Sequence, residues 1–150
     1  IGNATRYPGQ WMVAVVYTAL FSSASLEPES GWYSLGRLGH DVVLAYDHLG
    51  LIHSCVKRVR NKAQYTSLPM HLTEQEFTLT DLQHVYELLL QTKLEKKSFR
   101  RRVLEANLIE PLNKERRTAS RPAQLYQLKK GHIVHHFSRN MIGKNKEVLS

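Results

Sequence analysis

The stretch "FTLTDLQHVYELLLQTKLEKKSFRRRVLEANLIEPL", residues 77–112, carries two helical apolar patterns separated by a short polar break. In the first, Leu82, Val85, Tyr86 and Leu89 fall on one face of a helix, because side chains three and four residues apart stack along the same side. Thr80 can cap that helix by accepting from its first-turn amides, and Phe77 to Leu79 read as a short strand ahead of it. The second pattern, "EKKSFRRRVLEAN", predicts a helix ending near Asn107. At about 100° per residue, Phe99, Val103 and Leu104 define its inward side. Ser98, Arg101 and Glu105 then face away, with Lys97 and Arg102 on the flanks. Arg100 falls inside the apolar arc and is expected to run along its rim with its head in water.

Beyond this pair, "LIEPL" and "AQLYQLK" are strand-like, and "NKERRTASRP" between them is polar and basic. The order strand, helix, turn, helix, strand, basic loop, strand is the layout of a winged helix-turn-helix. In that layout the N-terminal residues of the second helix enter the major groove, and Lys96, Lys97, Ser98 and Arg101 occupy those positions. Arg100 and Arg102 complete the cluster, while Arg116, Arg117, Thr118 and Arg121 lie in the expected wing. Arginine suits bidentate contact with guanine or phosphate, and lysine supplies a point charge to the backbone. A basic helix alone could equally be a solvated face. Two clusters, one on the helix and one on the adjoining hairpin, favour double-stranded DNA over that reading. An RNA-binding module is less well supported, since the aromatics form no stacking platform among the basic residues.

The charge distribution agrees. The net charge is +8, but residues 1–50 hold two basic against four acidic side chains and residues 51–92 hold four of each. Residues 93–150 hold fifteen basic against five acidic, so the whole excess lies in the last third. Such asymmetry predicts a body joined to a basic module with a polyanionic partner.

Upstream, "WMVAVVYTALF" (11–21) is too short to span a bilayer, and its β-branched and aromatic content predicts a buried strand over residues 10–22. "SASLEPESG" is a loop and "WYSLGRL" a short strand or turn. "AYDHLGLIHSCVKRVRNKAQY" (45–65) predicts a helix capped by Asp47, with Leu51, Ile52, Cys55, Val56 and Val59 inward. Cys55 is the single cysteine, so no intramolecular disulfide exists; it reads as a buried structural thiol, and the chain as cytoplasmic. His132, His135 and His136 cluster without the partner spacing a metal site needs, and His71 and His84 stand apart. No metal, cofactor or catalytic group is assigned. The segment from 131 to 150 is expected to be a polar, basic tail, with "HIVHH" (132–136) solvated or strand-borne and "SRNMIGKNKEVLS" (138–150) disordered or adding general phosphate affinity.

"FTLTDLQHVYELLL", "SFRRRVLEANLIE" and "RPAQLYQL" together resemble the C-terminal winged helix of the Nudix-related transcriptional regulators. "TRYPGQWMVAVVYTALF" and "GWYSL…LAYDHLGLIHSCVKRVRNKAQY" resemble the last strand, turn and helix of the Nudix domain that precedes it. The resemblance covers roughly residues 1 to 128. It implies a repressor-type regulator of NAD or sugar metabolism that binds double-stranded DNA, senses a phosphorylated effector such as ADP-ribose, and forms a homodimer at full length. Three departures stand out. A stretch close to Arg-Asp-Pro-Arg-Gly in such regulators is Arg6-Tyr7-Pro8-Gly9-Gln10 here, and the usual asparagine before Phe-Arg-Arg is Ser98. The glutamate-rich Nudix box, which holds magnesium against a diphosphate, has no counterpart in the sequence.

The fold expected is therefore α+β: a partial Nudix-type α/β segment at 1–65, lacking its first half, a connector at 66–76, a winged helix at 77–130 and the tail at 131–150. The upstream segment should be poorly stable alone, because its strand lacks sheet neighbours. The alternative function is a Nudix-type protein that binds or hydrolyses nucleoside-diphosphate derivatives, its catalytic half missing.

Overall fold

The computed structural model describes residues 2–7, 9–22, 31–117, 121–131 and 134–142, in two units, Ile1–Arg58 and Val59–Ser150, which are taken separately. In the first, strands β1 (Gly2–Tyr7) and β2 (Gln10–Val13) form an antiparallel hairpin with Gly2 opposite Val13 and Tyr7 opposite Gln10. Gly9 makes the turn at φ +85°, a conformation that side chains with a Cβ rarely adopt. The strand expected over residues 10–22 therefore stops at Val13, and Val15, Tyr17 and Phe21 are exposed. Among the described residues no further strand pairs with that run, so β propensity has no ladder to join. "WYSLGRL" holds a 3-10 turn at Leu35–Arg37.

Helix α1 (His48–Tyr65) begins directly after Asp47, the residue expected to cap it, and the Asp47 carbonyl accepts from Leu51 N at 3.1 Å; Ala45 and Tyr46 lie ahead of the helix. Its apolar stripe, Leu51, Ile52, Cys55, Val56 and Val59, is half-buried. Cys55 is thus not the fully buried thiol expected.

In the second unit the core starts before the winged helix proper. Ala63 at the end of α1 is buried, and a 3-10 turn at Leu68–Leu72 inserts Pro69 and Met70. The first part of the stretch expected as a connector, Thr66 to Met70, consequently belongs to the packed body, while His71, Glu74 and Gln75 are exposed. Helix α2 (Leu79–Leu90) buries Leu79, Leu82, Tyr86 and Leu90, with Val85 and Leu89 half-buried. Its cap is Thr78, not Thr80. Asp81 N donates to Thr78 Oγ1 (3.1 Å) and Thr78 N donates to Asp81 Oδ2 (2.8 Å), a complete capping box. The short strand expected at Phe77–Leu79 reduces to one residue: Phe77 bridges Tyr126 through N–H···O bonds of 3.0 and 2.8 Å, and Leu79 already belongs to the helix.

Helix α3 (Lys96–Glu105) packs on α2 through Phe99 and Val103, both buried. Leu104, expected inward, is exposed, because the contact is confined to the one stripe that Phe99 and Val103 form a turn apart. The Tyr86 ring meets Phe99 edge-on, with centroids 5.3 Å apart, and its hydroxyl donates to the Thr66 carbonyl at 2.9 Å. Burial pushes the Tyr86 phenol far above its usual range, so it stays a donor throughout the physiological range.

The turn between the helices is held by Glu87. Its carboxylate accepts from Lys93 Nζ (2.8 Å), Leu94 N (2.9 Å) and Gln83 Nε2 (3.0 Å). Partial burial works against ionisation, but the bonds from Lys93, Leu94 and Gln83 outweigh it and hold the carboxyl down at about 2.

Strands β3 (Ile109–Arg116) and β4 (Ala123–Leu128) form the wing, with Ile109 opposite Leu128 and Arg116 opposite Ala123. The register shifts between Pro111 and Glu115, and the Gln124 side-chain amide fills the irregularity by donating to the Leu112 and Lys114 carbonyls.

The tail also departs from expectation. Its described part, residues 134–142, is strapped to the end of α1: Ser67 N donates to His135 O (2.9 Å), Phe137 N to Tyr65 O (2.8 Å) and Met141 N to Gln64 O (2.7 Å). Thr66 and His136 form a bridge, and Met141 is buried in the core. No helix of the described residues is long and apolar enough to cross a membrane.

Two stability predictions follow from these contacts. Tyr86→Phe keeps the ring but strands the Thr66 carbonyl, which should cost about 1–3 kcal/mol in denaturant unfolding. Glu87 has a folded pKa below its ordinary 4.5, so its contribution is present above pH 4.5 and lost as pH falls towards about 2. Glu87→Gln should therefore be less stable than wild type at pH 7, and the difference should shrink across that acid window in thermal melts.

Candidate nucleic-acid interface

Helix α3 is capped by Glu95, whose carboxylate accepts from Lys97 N (2.9 Å) and Ser98 N (2.7 Å). Those backbone bonds, aided by the nearby charges of Lys97 and Arg101, hold the Glu95 carboxyl below its usual range. The carboxylate occupies the first-turn amides that could otherwise take an anion. The positive side chains beside it, Lys96 and Lys97, are exposed, and Ser98 is half-buried. Arg101 is exposed one turn on, its Nε 3.9 Å from Glu105, a loose pair that leaves its other donors open to a ligand.

The remaining cations divide by partner. Arg100 runs along α2 as its place in the apolar arc suggests: its guanidinium donates to Thr80 Oγ1 at 3.2 Å, and its Nε is buried with no hydrogen-bond partner among the described residues. Arg102 is half-buried and donates to the Asn140 carbonyl. Arg116 donates to Asp81 Oδ2 (2.8 Å) and to the Glu76 carbonyl (3.4 Å), and the neighbouring Lys114 pairs with Glu76 at 2.6 Å. These two ion pairs tie the loop-side end of β3 to the N-terminal end of α2. Arg117 and Arg121 are exposed where the two strands lead into the wing tip. Thr118 lies outside the described residues.

The structure therefore brings Lys96, Lys97, Ser98 and Arg101 together at the front of α3 and turns Arg100, Arg102 and Arg116 toward protein groups. Sequence reading missed Glu95, Asp81 and Glu76 as organisers. A signal for Asp81 was available in its spacing, three residues after Thr78.

Compared with known proteins, residues 69–128 match the family described as the NrtR DNA-binding winged helix domain. This region is an NrtR-type winged helix. A crystal structure of Shewanella oneidensis NrtR complexed with a 27mer DNA is 38% identical, with a TM-score of 0.76 over 93% of this chain and 66% of that one. A second structure of Shewanella oneidensis NrtR gives a TM-score of 0.74 at the same identity. The ADPR responsive transcriptional repressor NtrR of Acinetobacter baylyi is 40% identical over 133 residues, 85% of this chain. The chain spans about half the length of that relative, 53%. The NrtR family match begins at Pro69, inside the stretch expected to be a connector, in keeping with the burial of Pro69 and Met70.

The Arg116–Asp81 pair is nearly half exposed on both sides, so its own contribution to stability is small, on the order of 0.2–1 kcal/mol. Asp81→Ala also removes the acceptor of the capping box and should cost about 1 kcal/mol. Combined with Arg116→Ala, the two losses should sum to more than the double variant's loss, since each removes the same pair. Urea unfolding of the four proteins measures this.

Proposed function

We propose that the protein is a DNA-binding transcriptional repressor of NAD or sugar metabolism, whose Nudix-like upstream part responds to a phosphorylated effector of the ADP-ribose type. The observation that carries it is the front of α3: Lys96, Lys97, Ser98 and Arg101 are presented by a winged helix whose fold matches an NrtR solved on DNA. α3 is the recognition helix in this reading, Arg117 and Arg121 of the wing reach the backbone, and Arg116 positions the wing from behind. The effector class is supported by the name of the Acinetobacter relative, an ADPR responsive repressor. The chain acts without hydrolysis in this reading, consistent with relatives named as repressors and with the missing glutamate-rich box. At full length the protein works as a homodimer in the cytoplasm, each winged helix reading one half-site.

The test is titration of a selected operator and a scrambled duplex at several salt concentrations. Affinity should fall with a log–log slope of about −0.9 per phosphate contacted. Arg117→Ala should weaken both duplexes equally and make the slope shallower by about one unit. Arg116→Ala should leave the slope unchanged, because Asp81 already neutralises that charge. Arg101→Ala should erode discrimination between the duplexes by about 1–3 kcal/mol if it is bidentate to guanine. Failure of the wild type to bind either duplex at low salt overturns the reading.

A further inference from the structure

Beside the C-terminal half of α3 lies an open groove of about 580 Å³ whose lining includes Arg101, Arg102, Glu105, His135, Phe137 and Arg139. Three guanidinium groups face one carboxylate there, so the groove is net positive. One wall is the recognition helix. The other is the strap formed by residues 134–142, a segment whose sequence predicted a solvated or strand-borne tail.

The strap is held in place at both ends. His135 exchanges bonds with Ser67, its N donating to Ser67 Oγ at 2.8 Å and its O accepting from Ser67 N at 2.9 Å. The His136 ring stacks on Tyr65 at 5.8 Å, Asn140 Nδ2 donates to Gln64 Oε1 at 2.8 Å, and Met141 is buried. Arg102 ties the same C-terminal end to α3 through the Asn140 carbonyl. Between these anchors Ser138 and Arg139 are exposed. A long cation placed on an anchored backbone loses less entropy on binding than one on a free tail.

We propose that the strap is a third DNA-backbone contact of this winged helix, with Arg139 meeting a phosphate at the C-terminal end of the recognition helix and Arg102 acting as a positioning residue. The inference rests on the DNA-binding reading above. In a winged helix the N-terminal residues of the recognition helix meet the bases. With Lys96 and Lys97 there, the C-terminal half of α3 and the strap beside it lie toward the phosphates that border the groove, α3 being ten residues, about 15 Å, long. The groove is polar, open and cationic, which suits a phosphodiester and not an apolar peptide. The strap would thus add affinity without adding sequence discrimination.

The experiment uses the full chain and the same operator and scrambled duplexes. Arg139→Ala should weaken both equally and flatten the salt slope by about 0.9, so that the wild type's advantage shrinks about three- to fourfold between 50 and 200 mM salt. Arg139→Lys should retain the slope, because a point charge suffices for a phosphate. The melting temperature of Arg139→Ala should match wild type, since the side chain is exposed. A wild-type slope left unchanged by Arg139→Ala overturns the proposal while leaving the DNA reading intact. Loss of slope in Arg139→Lys equal to that in Arg139→Ala also overturns it. Absence of wild-type binding to either duplex overturns both.

Discussion

The phenol of Tyr86 is the point through which the second unit is assembled. Its ring lies edge-on to Phe99 and its hydroxyl bonds the Thr66 carbonyl, so one side chain of α2 contacts α3 and the end of α1 together. The ring and the hydroxyl impose different constraints. The ring sets how α3 lies on α2, with the apolar burial and edge geometry that aromatic pairs favour. The hydroxyl sets where the chain leaves α1, because a buried carbonyl at Thr66 requires a donor and the phenol is the one that reaches it. The strap then attaches to the same few residues, Gln64 to Ser67, and so inherits its position from Tyr86.

From that frame comes a division of labour among the cations. Lys93, Lys114 and Arg116 each face a carboxylate at 2.6–2.8 Å, and Arg100 and Arg102 bond a hydroxyl and a carbonyl. Such surface contacts contribute little stability individually. Their effect is geometric: Glu87 with Lys93 shapes the turn, Asp81 and Glu76 seat the wing, and Arg102 holds the strap. Lys96, Lys97, Arg101, Arg117 and Arg139 remain exposed and give the surface its positive field. A count of basic residues overstates the number available to a polyanion, since partnered guanidiniums contribute to a field already compensated nearby.

The first unit shows the opposite situation. Val13, Val15, Tyr17 and Phe21 are exposed beside a two-stranded hairpin, and the α1 stripe is only half-buried. A hairpin of this size cannot shield a large apolar surface, and isolated two-stranded ladders are marginal in water. The chain covers about half of its Acinetobacter relative.

By itself the sequence determined the helical pair, the second strand of the wing and the segregation of positive charge, because each of these is written in short-range periodicity or composition; the first strand runs on to Arg116, through residues expected as loop. Phe99 and Val103 were readable as inward residues for that reason, and α3 ends where its apolar repeat ends. What only the tertiary structure decided are the features set by partners distant in sequence. Thr80 has a glutamine three residues on and Thr78 an aspartate, so local spacing offers two caps. The bridge from Phe77 to Tyr126 selects Thr78, because it keeps residue 77 extended and lets the helix begin at Leu79. Likewise nothing local separates Arg116 from Arg117; Asp81, thirty-five residues away, makes one a strut and leaves the other at the surface. The strap is the largest case. Its residues carry no strong periodicity, and it is ordered by carbonyls and amides at the end of α1, about seventy positions upstream. Periodicity records which face a residue takes on its own element, whereas pairing across such distances depends on where the elements come to lie.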